Sequence, residues 1–204
     1  MDLCFQTNFL GHFVLTQRLL PLLLKAEKGR IVNLASVMHH YCRDADVHDF
    51  EYWNNCARYG SQPESTYSPS KLAAVLFTLA LRCRYPELSS IAANPGSVNS
   101  EIWRGFPRFI IPLFRLAFLT TSQGSSCTVA AATLPDDELP LYLQPYWMPY
   151  STTNRTPHPI FETLGPYAGY VPTAPRLAED GGTLEAEALW RASEHLTGCK
   201  FPIS

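Results

Sequence analysis

Two short apolar segments, residues 30–35 and 90–93, flank a long helical run that opens near Thr66 and is stopped by Pro86. Strand, helix and strand in that order read as a parallel pair with its crossover. The first strand follows the Gly29 turn and ends in Asn33-Leu34-Ala35-Ser36, which puts a serine at its C-terminal end. The second runs into the turn Asn94-Pro95-Gly96. Open parallel sheets bind ligands outside the carboxyl ends of their strands. Ser36, the start of the helix and the turn at Pro95 are therefore expected to meet in one crevice.

The helix opens with Tyr67-Ser68-Pro69-Ser70-Lys71. A spacing of four residues puts the tyrosine and the lysine on one helix face, a turn apart. A phenol titrates at about pH 10, too high for acid–base work at neutrality. A fixed ammonium one turn away favours the phenolate and brings the group toward working range. Taken singly, each feature has a plainer reading. Tyr-x-x-x-Lys recurs on surface helices, Ser36 can simply end a strand, and Pro95-Gly96 can be only a turn.

Composition narrows the alternatives. With 204 residues, 46% of them hydrophobic and 17% charged, the chain can bury a core and is not compositionally disordered. A net charge of −2 argues against a nucleic-acid partner, since there is no basic excess to release counterions. The six cysteines are scattered without a C-x-x-C pair, a pattern that suits thiols in a reducing compartment. Residues 2–26 form an amphipathic helical pattern, with Leu15, Leu19, Leu22 and Leu23 expected to be buried and no leader read ahead of it. The apolar run 109–119 is too short to span a bilayer and reads as a pocket wall, ordinary core or a membrane-surface contact.

Residues 37–64 read as a long polar loop carrying His39, His40, Tyr52 and Trp53. The loose group of His39, His40, Asp44, Asp46, His48 and Asp49 lacks metal-ligand spacing, so a solvated loop is the expectation there. A helix over 121–134 is expected to start from Thr121 or Ser122 as its cap. Tyr142-Leu143 reads as a last strand. The segment 145–175 is rich in proline and aromatic residues, and Leu184 to Leu196 reads as a short closing helix. This divides the chain into residues 1–144, an α/β unit, and residues 145–204, a tail with its helix. The tripeptide Asn154-Arg155-Thr156 matches a glycosylation sequon and is read as chance.

Four blocks, in order, carry a family resemblance: Thr7-Asn8-Phe9-Leu10-Gly11, Ile31 to Ser36, Tyr67 to Lys71, and Asn94-Pro95-Gly96. Over roughly residues 1–135 the chain resembles the short-chain dehydrogenase/reductase family, in its retinol-dehydrogenase-like and WW-domain-oxidoreductase-like branch. The resemblance implies an α/β fold, the C-terminal part of a doubly wound Rossmann-type parallel sheet. It implies NAD or NADP as cofactor and a small apolar alcohol or carbonyl compound, such as a retinoid, steroid or lipid aldehyde, as substrate. Tyr67 would pass the proton, Ser36 would bind the substrate oxygen, Lys71 would hold the nicotinamide ribose, and Asn8 would support a proton relay. Pro95, Gly96, Val98 and Ser100 would line the nicotinamide. A cytoplasmic location, with a membrane face and a homo-oligomer both open, completes the expectation.

The sequence also departs from that family. It contains neither G-x-x-x-G-x-G nor G-x-G-x-x-G, the turns whose backbone N–H groups receive a pyrophosphate, nor an Asn-Asn-Ala-Gly segment. Judged by the size of βαβ units, the first half of the family's domain, roughly 90 residues, is expected to be missing. The chain as given is then expected to bind dinucleotide poorly and to turn over slowly or not at all. Two function classes follow: an oxidoreductase, or a non-catalytic truncated isoform or pseudoenzyme that acts through protein–protein contacts.

Overall fold

The computed structural model describes residues 1–42, 47–59, 66–99, 118–145, 171–172 and 183–202. The chain opens with α1 (Leu3–Phe5), a π-helical turn over Gln6–Leu10, and α2 (Gly11–Leu23). Strand β1 (Arg30–Leu34) follows, then a 3-10 helix Val37–Tyr41, α3 (Phe50–Tyr59) and α4 (Tyr67–Arg84). Next come β2 (Ser89–Ala93), α5 (Thr121–Thr133), a 3-10 turn Asp136–Glu138 and β3 (Tyr142–Gln144). The last elements are β4 (Val171–Pro172) and α6 (Thr183–Thr197).

The sheet order is β1-β2-β3-β4, with β1, β2 and β3 parallel and β4 antiparallel to β3. Side chains alternate across a strand, and here both faces are covered. Ile91, Ala93 and Leu143 point to the face covered by Cys127, Ala130 and Ala131 of α5. Ala92 and Tyr142 point to the other, against Val75 of α4. Helices on both faces of a parallel sheet make this the doubly wound α/β architecture expected, with strands and the long helix within a residue or so of their predicted bounds.

The larger core lies on the α4 face, where α1, the π turn, α2, α3, α4 and α6 share Phe5, Phe9, Phe13, Trp53, Phe77, Leu81 and Trp190. Phe13 packs 5.4 Å from the Phe77 ring and 5.4 Å from Trp190, and Trp190 packs 4.5 Å from Phe201. A polar staple holds the far end of α4. Arg82 donates from Nε to the Ser90 carbonyl at 2.6 Å, and from Nη2 to the Leu139 and Pro140 carbonyls at 3.1 and 2.6 Å. Nearer the middle, Asn33 Nδ2 donates to Thr78 Oγ1 at 2.9 Å, which ties β1 to α4 inside the core.

Several expectations are corrected. On α2 the buried residues are Phe13, Thr16 and Leu20, while Leu15, Leu19 and Leu22 are 55, 42 and 66% exposed. Leucines occupy several sides of α2, so their spacing alone does not mark the inward face, which Phe13 sets by packing on Phe77 and Trp190. Residues 50–59 form a helix rather than loop, because Trp53 and Ala57 repeat at helical spacing and are both fully buried. The cap of α5 is Thr120, not Thr121 or Ser122. Its Oγ1 accepts from Gln123 N at 3.2 Å and Gln123 Oε1 accepts from Thr120 N at 2.9 Å, a closed capping box. The apolar run 109–117, the sequon and nearly all of the proline-rich segment lie outside the described residues.

None of the six cysteines forms a disulfide. Among the described residues no helix is long and apolar enough to cross a membrane.

Gly29 is where α2 turns into β1, and a Cβ there would sit 2.3 Å from the Leu23 carbonyl oxygen and 2.9 Å from Leu88 Cδ1. Backbone cannot retreat from such a clash, so Gly29→Ala is expected to cost about 1–3 kcal/mol in urea denaturation. Alanine at Gly198, which faces open space but has φ +66°, carries only the backbone penalty and serves as the reference.

Candidate functional site

The carboxyl ends of β1 and β2 meet the first turn of α4. Pro69 sits in that first turn, where a missing N–H costs nothing, so Tyr67 and Lys71 can open the helix on one face. Lys71 Nζ lies 5.5 Å from the centre of the Tyr67 ring. It donates to the Leu34 carbonyl at 3.0 Å, which brings the ammonium to the end of β1, two residues before Ser36. Burial pulls the Lys71 amine below its ordinary range, with a smaller opposing influence from Cys4. The ammonium has three donors, and the bond to Leu34 uses one of them.

Ser36 is extended, at φ −157° and ψ 153°, and caps the 3-10 helix by accepting from Met38 N at 3.3 Å. With its oxygen engaged as an acceptor, the hydroxyl hydrogen is the part left to point at a ligand. Asn8 lies in the π turn, where Gly11 N–H bonds to Gln6 O. Such turns inside helices are frequent at functional sites. Its Nδ2 donates to Ser70 Oγ at 3.1 Å and to Cys4 Sγ at 3.4 Å, so Asn8 reaches α4 through the residue before Lys71. Burial raises the Cys4 thiol above its ordinary value.

The turn after β2 follows the strand that neighbours β1, whose last pair is Leu34 with Ala93. Asn94 Oδ1 accepts from Gly96 N at 3.0 Å, and Gly96 takes φ +82°, a left-handed conformation that suits glycine. A Cβ on Gly96 would lie 3.1 Å from Pro145 Cγ and 3.3 Å from Leu119 Cδ1. Val98 bridges to Leu119 and packs so tightly on α5 that a Cβ on Gly124 would come within 2.2 Å of its Cγ2. The structure thus gathers Asn8, Ser36, Tyr67 and Lys71 around the end of β1, with Pro95 and Gly96 at the end of the neighbouring strand. Val98 stands farther along, at the start of α5, and Ser100 lies outside the described residues.

One residue at this site was misread from sequence as part of a solvated loop. His39 is fully buried, its ring centre 4.9 Å from that of Tyr142 and 4.0 Å from that of His40. Its Nδ1 lies 2.6 Å from the Ser36 carbonyl oxygen. Burial, and then the neighbouring His40, pull its imidazole from 6.5 down to about 4. Burial also drives the Tyr142 phenol up, against a smaller pull from Asn94. No group of three or more metal-ligating side chains occurs among the described residues, and Asp44 and Asp46 fall outside them.

Comparison with known proteins gives a consistent relationship. Residues 1–45 match the family described as short chain dehydrogenase. Retinol dehydrogenase 11 of Homo sapiens is 35% identical over 129 residues, which cover 61% of this chain and 39% of that protein. Retinol dehydrogenase 12 of Mus musculus is 37% identical over 138 residues, covering 66% of this chain and 42% of that protein. Polyprenol dehydrogenase of Mus musculus is 33% identical over 143 residues, covering 64% and 41%. The chain spans about two fifths of the length of these curated relatives.

Because His39 stays neutral in the folded chain to about pH 4 while the unfolded chain takes the proton near 6.5, the unfolded state binds more protons between those values. Stability is therefore full above pH 6.5 and falls as the pH drops toward 4. Between pH 7.5 and 5 the wild type is expected to lose about 2 kcal/mol more than His39→Phe, read from denaturant midpoints at each pH.

Proposed function

Because the chain belongs to the short-chain dehydrogenase/reductase family, we propose that its site serves an NAD(P)-dependent oxidoreductase that interconverts an alcohol and a carbonyl on a small apolar molecule. The observation that carries this reading is the Lys71 ammonium, bonded to the Leu34 carbonyl at 3.0 Å, two residues from Ser36 and one helical turn from Tyr67. In reduction, Ser36 O–H donates to the substrate oxygen and fixes its direction. Tyr67 gives its phenolic proton to that oxygen as negative charge develops there. Lys71 stabilises the phenolate left behind. Asn8, held against Ser70, supports the return of a proton from solvent. In alcohol oxidation the same groups act in reverse, with Tyr67 as base.

A nicotinamide dinucleotide, when bound, supplies or accepts the hydride. The residues present fit its nicotinamide end. Lys71 keeps two N–H donors beyond its bond to Leu34, suited to ribose hydroxyls, and the family resemblance assigns Pro95, Gly96 and Val98 to the nicotinamide side. The sequence holds no glycine-rich turn for the pyrophosphate. That supports weak binding by these 204 residues taken alone, and NAD and NADP stand equal. Retinoids, steroids and lipid aldehydes are the substrate class favoured.

A second reading is favoured by a specific observation. Leu15, Leu19 and Leu22 line an exposed stripe of α2, and Leu34, on β1 at the edge of the described sheet, is half exposed. A strand edge unpaired among the described residues and an exposed apolar stripe are each templates for another chain, so the polypeptide can act through protein contacts rather than turnover.

The test uses the purified 204-residue protein with retinal as probe and NADH or NADPH in excess. Slow reduction is expected, with dinucleotide affinity in the high micromolar range or weaker. Tyr67→Phe is expected to lower kcat by about 100-fold or more. Equal rates for Tyr67→Phe and wild type sink the catalytic reading, and tight dinucleotide binding with fast turnover sinks the expected impairment. No turnover together with concentration-dependent self-association favours the second reading.

A further inference from the structure

His39 makes two hydrogen bonds to one acceptor. Its backbone N–H reaches the Ser36 carbonyl at 3.1 Å, and its ring Nδ1 reaches the same oxygen at 2.6 Å. A carbonyl oxygen only accepts, so Nδ1 carries the hydrogen and the neutral ring is the Nδ1–H tautomer. Nε2 is then an acceptor, and it is buried with no partner among the described residues. A buried polar atom left unpaired costs stability, and a phenyl ring in the same aromatic slot against Tyr142 would avoid that cost. The placement makes sense if the Nδ1–H bond is what the imidazole supplies.

We propose that His39 is a positioning residue for Ser36: its two N–H groups pinch the Ser36 carbonyl and so fix the direction of the Ser36 hydroxyl toward the substrate oxygen. The proposal rests on the role given to Ser36 above. The peptide between Ser36 and Val37 has two soft rotations at each neighbouring Cα, and clamping its carbonyl removes most of that freedom. The bond from Met38 N to Ser36 Oγ then holds the side chain relative to the same clamped segment. Without the ring bond, the hydroxyl can swing while the strand beneath it stays in place through its ladder to β2. Burial keeps the ring neutral, as the lowered imidazole pKa requires, so the clamp is intact across the neutral range.

Asparagine and glutamine separate the two ring nitrogens. The Asn amide donates from near the Nδ1 position, whereas the Gln amide reaches only to the Nε2 position. The experiment compares wild type with His39→Asn, His39→Gln and His39→Phe in the full 204-residue chain, using retinal and NADPH. His39→Asn is expected to keep kcat within about threefold, while His39→Gln and His39→Phe lose roughly 10- to 100-fold in kcat with the retinal KM little changed. Nitrogen-15 spectra of histidine-labelled protein are expected to show one imidazole with a protonated Nδ1 and a bare Nε2, absent from all three variants. The Ser36 carbonyl carbon shift should move in the Gln and Phe variants and stay in place in the Asn variant.

An Nε2–H tautomer for that ring, or equal kcat in the Asn, Gln and Phe variants, overturns the proposal. A uniform loss in all three that follows a drop in Tm assigns His39 to packing and also overturns it. A wild-type chain without turnover counts against the proposed function, and the tautomer and the Ser36 carbon shift then decide the positioning role by themselves.

Discussion

Phe77 sits where the structure is decided. Its ring packs 5.8 Å from Phe9, 5.4 Å from Phe13 and 5.8 Å from Trp190, so one side chain of α4 touches the π turn, α2 and α6. Aromatic pairs of this kind are worth about 0.5–1.5 kcal/mol each beyond the area they bury. More important than the sum is the geometry. The cluster fixes how far α4 stands from the π turn, and that spacing lets Asn8 meet Ser70 at 3.1 Å. The polar contacts of the site are thus consequences of ring packing about two helical turns away.

At the strand ends the energetic balance reverses. Lys71 and His39 are both held in surroundings that disfavour their charged forms, and Cys4 is held likewise toward its neutral thiol. Each is compensated by a backbone carbonyl or an amide rather than by an opposite charge: Leu34 O for Lys71, Ser36 O for His39, and Asn8 Nδ2 for Cys4. Carbonyl dipoles at the ends of strands are rigid. They orient a donor without the reorganisation that a flexible carboxylate would bring, the condition under which electrostatic stabilisation is effective.

Much of this was legible in the sequence. The parallel pair, the long helix between its strands and the convergence of Ser36, Tyr67 and Lys71 follow from short apolar runs, a helix stop at Pro86 and a four-residue spacing. Helix α3 was hidden because its polar positions, among them Glu51 and Asn54, outweigh its buried Trp53 in a simple count of apolar residues. The inward face of α2 was hidden because leucines occupy several of its sides, and Phe13, which sets it, packs on rings far along the chain. His39 was hidden for a different reason. Its bond to Ser36 spans only three residues, yet its burial depends on Tyr142, more than a hundred residues away. A short-range pattern carries no sign of such a roof.

The same aromatic cluster joins distant parts of the chain. Phe9 and Phe13 come from the first helical stretch, whereas Trp190 and Phe201 stand far along the chain, in and beyond α6. Gln17 also reaches the Lys200 carbonyl at 3.0 Å, and Tyr85 reaches Pro202 at 2.5 Å. Phe13 and Phe77 can meet once α4 has been made, but their apolar flank stays open until Trp190 and Phe201 have been made as well. During synthesis an aromatic surface therefore stays exposed for as long as translation from α4 to Phe201 takes. The slower that stretch is translated, the longer the surface is open to wrong partners.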